Sequence, residues 1–179
     1  MILLALLPGC VMKNGQMDRF LALRARMLQS KGCSFEVFVT ADYGKECYQF
    51  SLTCRMDEQG TVSFTVNEPE SIAGITGQIS AEGGKLTFDD KALAFELLAD
   101  GQLSPVSSPW VLMKTLRGGY IAAVGMDGEY LRATVHDSYR DDALQLDIWL
   151  DQYDNPIRAE ILYADRKILS MEVKNLQFL

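Results

Sequence analysis

Four turn signatures in the last sixty residues constrain this chain more than any other feature. Strand side chains alternate between faces, so a one-residue slip in any hairpin would carry a whole apolar row to the wrong side. Asp127-Gly128 reads as a two-residue hairpin loop. It pairs Val124 with Leu131, Ala122 with Ala133 and Tyr120 with Val135. Asp141-Asp142 then sets Val135 against Ile148, and Asp154-Asn155 sets Ile148 against Ile161 and Leu146 against Tyr163. A three-residue turn at Asp165-Arg166-Lys167 places Tyr163 opposite Leu169, Ile161 opposite Met171 and Ala159 opposite Val173. Every pairing keeps the apolar residues together, so the spacing predicts a five-stranded antiparallel meander with one continuous apolar face.

The front half carries the same period. After Gly32, Phe35, Val37 and Val39 share a face, followed by Tyr48, Phe50, Leu52 and Cys54, and then by Val62, Phe64 and Val66. Three strands in series follow, joined at Asp42-Tyr43-Gly44-Lys45 and Asp57-Glu58-Gln59-Gly60. Two registers of the first hairpin satisfy the apolar rows. One sets Cys33 opposite Cys54, where a disulfide could form. The other, favoured if Gly44 opens a two-residue turn, sets Phe35 opposite Cys54 and separates the cysteines. The stretch from Asn67 to Gly77, with Pro69 and Gly74, reads as a loop or short helix. Short strands resume around the Glu82-Gly83-Gly84 turn, and Ala92 to Leu98 is apolar without a decided period.

Two segments have the helical period instead. Met17, Phe20, Leu21, Met27 and Leu28 recur at three-to-four-residue spacing, with Asn14 or Gly15 as cap and Gly32 as stop. Pro105 to Arg117 reads as the second helix, with Ser108 as cap, Pro109 at its first position and Gly118-Gly119 at its end. Both stripes suit a core-facing side. Roughly ten strands and two helices make an α+β, mainly antiparallel chain: one broad curved sheet with helices over its concave side.

Composition narrows the function. The chain has 179 residues and a net charge of −7, without the clustered Lys and Arg that phosphate contacts need, so no nucleic-acid partner is expected. His136 is the single histidine, and its neighbour Asp137 points to the opposite face of a strand. Asp89-Asp90, Asp141-Asp142 and the Asp151, Asp154 pair sit where turns favour Asp. Gly83-Gly84 and Gly118-Gly119 lack the residues of a phosphate loop. The four cysteines, Cys10, Cys33, Cys47 and Cys54, include no CxxC. No catalytic set, metal site or cofactor is expected.

The first residues carry an address. Ile2-Leu3-Leu4-Ala5-Leu6-Leu7 runs into Pro8-Gly9-Cys10 and then into polar sequence. This resembles the lipobox of bacterial lipoproteins, in which the cysteine thiol receives a diacylglyceryl group. Residues 1–9 are then a lipoprotein signal peptide, short and without a positive n-region, as a truncated start would leave it. Residues 10–179 form the single mature domain, anchored to a membrane outside the cytoplasm through Cys10. Six apolar residues cannot span a bilayer, which takes about 20.

The order of elements, with the phrase Pro69-Glu70-Ser71-Ile72-Ala73-Gly74-Ile75, the segment Lys85-Leu86-Thr87-Phe88-Asp89 and the ending Asp154-Asn155-Pro156-Ile157-Arg158-Ala159-Glu160-Ile161 through Val173-Lys174-Asn175-Leu176-Gln177-Phe178, resembles the LolA-like lipoprotein-carrier superfamily. Within it the chain is most similar to the lipobox-bearing spore germination lipoproteins of the GerS type. The resemblance implies a half-barrel of one sheet with helices over its concave face, and no catalytic residue. It implies a non-catalytic binding module, lipid-anchored to the cell or forespore membrane, that supports a cortex-modifying N-acetylmuramoyl-L-alanine amidase in sporulation and germination. A homodimer paired through sheet edges belongs to the same reading. The alternative is a lipid or lipoprotein carrier or receptor that shelters acyl chains in an apolar cavity between sheet and helices.

Overall fold

The computed structural model describes residues 15–42, 44, 46–88, 91–95, 98–99, 102–140 and 143–179. Cys10 and the apolar run before it lie outside the described residues, as do Asp89-Asp90 and Asp141-Asp142. Helix α1 (Gly15–Gln29) leads into β1 (Gly32–Asp42), β2 (Cys47–Asp57) and β3 (Val62–Glu68). A turn of 3-10 helix at Glu70–Ile72 precedes β4 (Thr76–Ser80), β5 (Gly83–Phe88) and β6 (Lys91–Phe95). Within the apolar segment of undecided period, residues 92–95 and 98 are thus strand. Two-residue strands β7 (Leu98–Ala99) and β8 (Gln102–Leu103) pair with each other, and a 3-10 turn at Pro105–Ser107 opens α2 (Ser108–Gly118). The chain closes with β9 (Tyr120–Asp127), β10 (Tyr130–His136), β11 (Gln145–Leu150), β12 (Pro156–Tyr163) and β13 (Arg166–Phe178).

Eleven of these strands form one open, curved antiparallel sheet in the order β6-β5-β4-β3-β2-β1-β13-β12-β11-β10-β9. Two meanders are therefore joined where the first strand meets the last, with Val37 opposite Val173 and Val39 opposite Met171. The alternation read from sequence holds along the inner face. Phe35, Val37 and Val39 of β1, Leu52 and Met56 of β2, and Val62, Phe64 and Val66 of β3 are buried there. Leu131, Ala133 and Val135 of β10 and Leu146, Ile148 and Leu150 of β11 continue the row. Helix α1 covers this face with Phe20, Leu23 and Met27, a narrower stripe than expected, since Leu21 and Leu28 are 44% and 55% exposed. Helix α2 contributes Val111, Leu112, Met113 and Leu116 to the same cluster. Each such Leu or Phe taken out of water stabilises the fold by about 1.5–3 kcal/mol.

Ser108 does not cap α2. It already lies inside the helix, and its hydroxyl donates to the carbonyl oxygen of Pro105 at 2.7 Å. The preceding 3-10 turn supplies the entry that the cap was expected to provide.

The first hairpin sets Asp42 opposite Cys47 and Phe35 opposite Cys54. Cys33 faces Met56, and Cys33, Cys47 and Cys54 are all free thiols. The register is thus the one that sets Cys33 and Cys54 diagonally rather than opposite each other, and no bond joins them in this structure. Gly44, at φ +87°, and its N–H bond to Asp42 Oδ1 at 2.8 Å fix that turn.

Aspartates close three other turns in the same manner, from the first corner rather than from the tip. Asp57 Oδ1 accepts from Thr61 N at 2.9 Å, and Asp137 Oδ1 from Leu144 N at 2.9 Å. Asp151 Oδ1 accepts from Tyr153 N and Asn155 N at 2.8 and 2.9 Å. A carboxylate that takes loop N–H groups in this way offers the backbone an acceptor it would otherwise find only in water.

Candidate functional site

The site grows from the place where α2 leans over two hairpin turns. Between the helix, the β2–β3 turn and the β4–β5 turn lies a pocket of about 360 Å³. Met56 and Trp110 give it an apolar floor, both nearly buried at 1% and 7% exposure. Lys114 and Arg117, one and two helical turns further along, give it a basic wall, and Glu82 stands across from them. The Lys114 ammonium lies 5.3 Å from the centre of the Trp110 ring, within cation–π range, and 3.4 Å from Asp137 Oδ2.

Arg117 is held from the opposite turn. Its Nη2 donates to the Glu58 carbonyl oxygen at 2.9 Å. Gly60 has φ +90°, and a Cβ there would lie 2.6 Å from Arg117 Nη1, so glycine serves both the turn and the close approach of the guanidinium. Glu82 is held below the ordinary carboxylate range, first by the hydroxyl of Ser80, which donates to it, and then by a backbone N–H. The pocket therefore joins an aromatic floor to charged groups at the rim. That combination suits a ligand with an apolar stem and a polar head.

The residues weighed for catalysis are not brought together. His136 lies beside Tyr120, with ring centres 6.4 Å apart, while Asp137 is engaged by Lys114 and Leu144 N. Asp151 and Asp154 belong to the β11–β12 turn, where Asp154 Oδ1 accepts from Arg19 Nε at 2.7 Å. Gly83 starts β5 and Gly119 ends α2, its N–H bonded to the Thr115 carbonyl oxygen. Among the described residues, no group of three His, Cys, Asp or Glu could hold a metal ion.

Sequence reading did not single out Trp110, Lys114 or Arg117. Their helical spacing was visible, but the partners Met56 and Glu82 come from other hairpins, and only the fold brings them within one pocket.

Comparison of the sequence with family models and with curated proteins gives no match. Solved structures are similar in fold. A DUF1329 family protein from Desulfovibrio piger superposes with a TM-score of 0.52 at 8% identity, over 92% of each chain. An uncharacterized conserved protein from Thermus thermophilus gives 0.50 at 10% identity, over 91% of this chain and 87% of that one. A LolA superfamily protein from Nitrosomonas europaea gives 0.48 at 9% identity, over 92% and 93%. At such identities the likeness concerns the fold alone.

Proposed function

We propose that this chain is a non-catalytic extracytoplasmic binding protein, tethered through Cys10, whose domain 10–179 takes a single acyl-bearing amphiphile in the pocket beside α2. The observation that carries the reading is the pocket itself: Trp110 and Met56 below, Lys114 and Arg117 at the rim, opening between helix and sheet. Its volume of about 360 Å³ sits at the low end of small-ligand sites, which run from about 300 to 1,000 Å³. One chain fits; the several acyl chains of a lipoprotein do not. The LolA-like order of elements supports the same reading.

Titration of the purified chain with sodium dodecanoate, followed by tryptophan fluorescence and native mass spectrometry, tests it. A saturable change with a one-to-one adduct is expected, and Trp110→Ala should weaken it about tenfold, since a buried tryptophan face is lost. No adduct and no saturable change would overturn the reading.

A second reading, the GerS-like interaction module, draws on a different surface. Strand β9 ends the sheet, pairs within it only with β10, and leaves Tyr120 and Met126 each 49% exposed. Tyr139, 87% exposed, lies 5.1 Å from Tyr120 ring to ring. An open edge beside exposed aromatics suits addition of a partner strand, from an N-acetylmuramoyl-L-alanine amidase or from a second copy. Affinity purification of the tagged chain from sporulating cells tests this role. Recovery of amidase that Tyr139→Ala reduces is expected, and recovery of none would remove it.

A further inference from the structure

The outward face of the first meander carries a second surface that neither reading uses. The registers place Arg55, Ser63, Gln78 and Lys85 in one row across β2, β3, β4 and β5. Beside it, Thr53, Thr65, Thr76 and Thr87 form a parallel row across the same four strands. A groove of about 590 Å³ runs over both rows. Its side chains offer hydroxyls, one amide and two cations.

No carboxylate lines the groove, although the whole chain has a net charge of −7. Arg55 and Lys85 are exposed and form no ion pair among the described residues. Two acids border the groove by register: Glu36, opposite Thr53, whose carboxylate accepts from Asn175 Nδ2 at 3.1 Å, and Asp57, two residues beyond Arg55 on the same face of β2, whose Oδ1 accepts from Thr61 N at 2.9 Å. Neighbouring strands lie about 4.8 Å apart, so the two cations stand about 14 Å apart across three intervals. Between them only neutral donors and acceptors face outward. The aromatic ring that reaches the groove, Phe64, is buried at 3% exposure, so the face offers bases nothing to stack on and a protein partner no apolar anchor.

We propose that this face binds an anionic glycan, a polyhydroxylated polymer whose acidic groups meet Arg55 and Lys85 while its hydroxyls meet the threonine row. Charge-assisted bonds at two points supply register, and neutral bonds of about 0.5–1.5 kcal/mol each supply the rest. The site is independent of the pocket beside α2.

Retention of the purified chain on beads carrying polygalacturonate, glycerol-phosphate teichoic acid or neutral dextran tests the proposal. Retention on at least one charged polymer is expected, with carboxylate and phosphate sources told apart by which bead retains more. Arg55→Gln with Lys85→Gln should weaken it at least about tenfold, because both charge-assisted hydrogen bonds become neutral ones. Lys174→Gln on the other meander should leave it unchanged, as should Trp110→Ala, which weakens binding in the acyl pocket. Thr65→Val with Thr76→Val should weaken it without altering charge. Absence of retention on both charged beads, retention equal to that on dextran, or indifference to the double charge substitution would each overturn the assignment.

Discussion

Arg24 of the first helix ends on the last turn of the second, where its Nε donates to the carbonyl oxygen of Leu116 at 2.7 Å. Its Nη2 reaches the carbonyl oxygens of Gly119 and Thr115 at 2.9 and 3.3 Å. The carbonyls at a helix end have no partner within the helix, so one guanidinium completes α2 and ties α1 to it. Partial burial holds the guanidinium below its ordinary value, the cost at which this contact is made.

Arg24→Met should therefore destabilise the chain by about 1–3 kcal/mol. In a domain of this size each kcal/mol lowers Tm by about 2–4 °C. Arg24→Lys should recover only part of the loss, because a single ammonium lacks the fork that spans separate acceptors. Thermal unfolding of the two variants checks both statements, and equal Tm for Met and wild type would refute them.

Gly77 of β4 has no space for a side chain. A Cβ there would lie 2.8 Å from the Lys85 carbonyl oxygen and against the Phe64 ring. Gly77→Ala should cost about 1–3 kcal/mol by overpacking. Gly125→Ala on edge strand β9, where nothing lies within 4 Å, should be near neutral or slightly stabilising. Urea unfolding midpoints of the pair give the comparison.

The buried thiols make stability depend on alkaline pH. Burial pushes Cys33 from 9.0 to about 11, and Cys54, also chiefly by burial, higher still. The folded state thus holds these protons more tightly than the unfolded chain does. Their contribution is complete below pH 9 and declines as pH rises from about 9 to about 11. Cys33→Ala should flatten that decline. In a Cys10→Ser background one thiol, the exposed Cys47, should react with Ellman's reagent in the native protein, and the other two only after unfolding; fast reaction of all three would contradict the burial.

The β12–β13 turn stores strain that substitution can relieve. Ala164 and Asp165 have φ of +48° and +61°, as a two-residue turn between antiparallel strands requires, yet neither is glycine. Replacing the pair by Asn-Gly should stabilise by about 1 kcal/mol, since the left-handed conformation costs an ordinary residue about that much. A rise in Tm is the readout.

Faces were legible in the sequence, and registers less so. Val124 was expected opposite Leu131 and stands opposite Ala133; Val135 was expected opposite Ile148 and meets Leu146. Ile161 meets Leu169, not Met171. Each pairing next to these turns is displaced by two, which keeps the apolar side chains there on their face, whereas a register shift between Thr134 and Val135 sets Ile121, not Tyr120, opposite Val135 and leaves Tyr120 on the outer face opposite His136. Period-two burial penalises a slip of one and tolerates a slip of two, so the choice fell to turn chemistry. There the aspartates misled, because Asp137 and Asp151 accept loop N–H groups from the turn's first corner instead of occupying its tip. At Ala164-Asp165 an alanine takes a conformation that its residue type does not announce. The site was harder still, since Trp110 and Met56 are brought together by tertiary packing alone.

The pairing of β1 with β13 sets an order of events. Strand β1 can join β2 soon after it is made, but its other neighbour is the last strand of the chain. Until that strand arrives, the inner row of Phe35, Val37 and Val39 has one open flank, and the two meanders have no common seam. Contacts so distant along the chain form late, because a long loop must close before they contribute. The sheet cannot close before β13 has emerged from the ribosome.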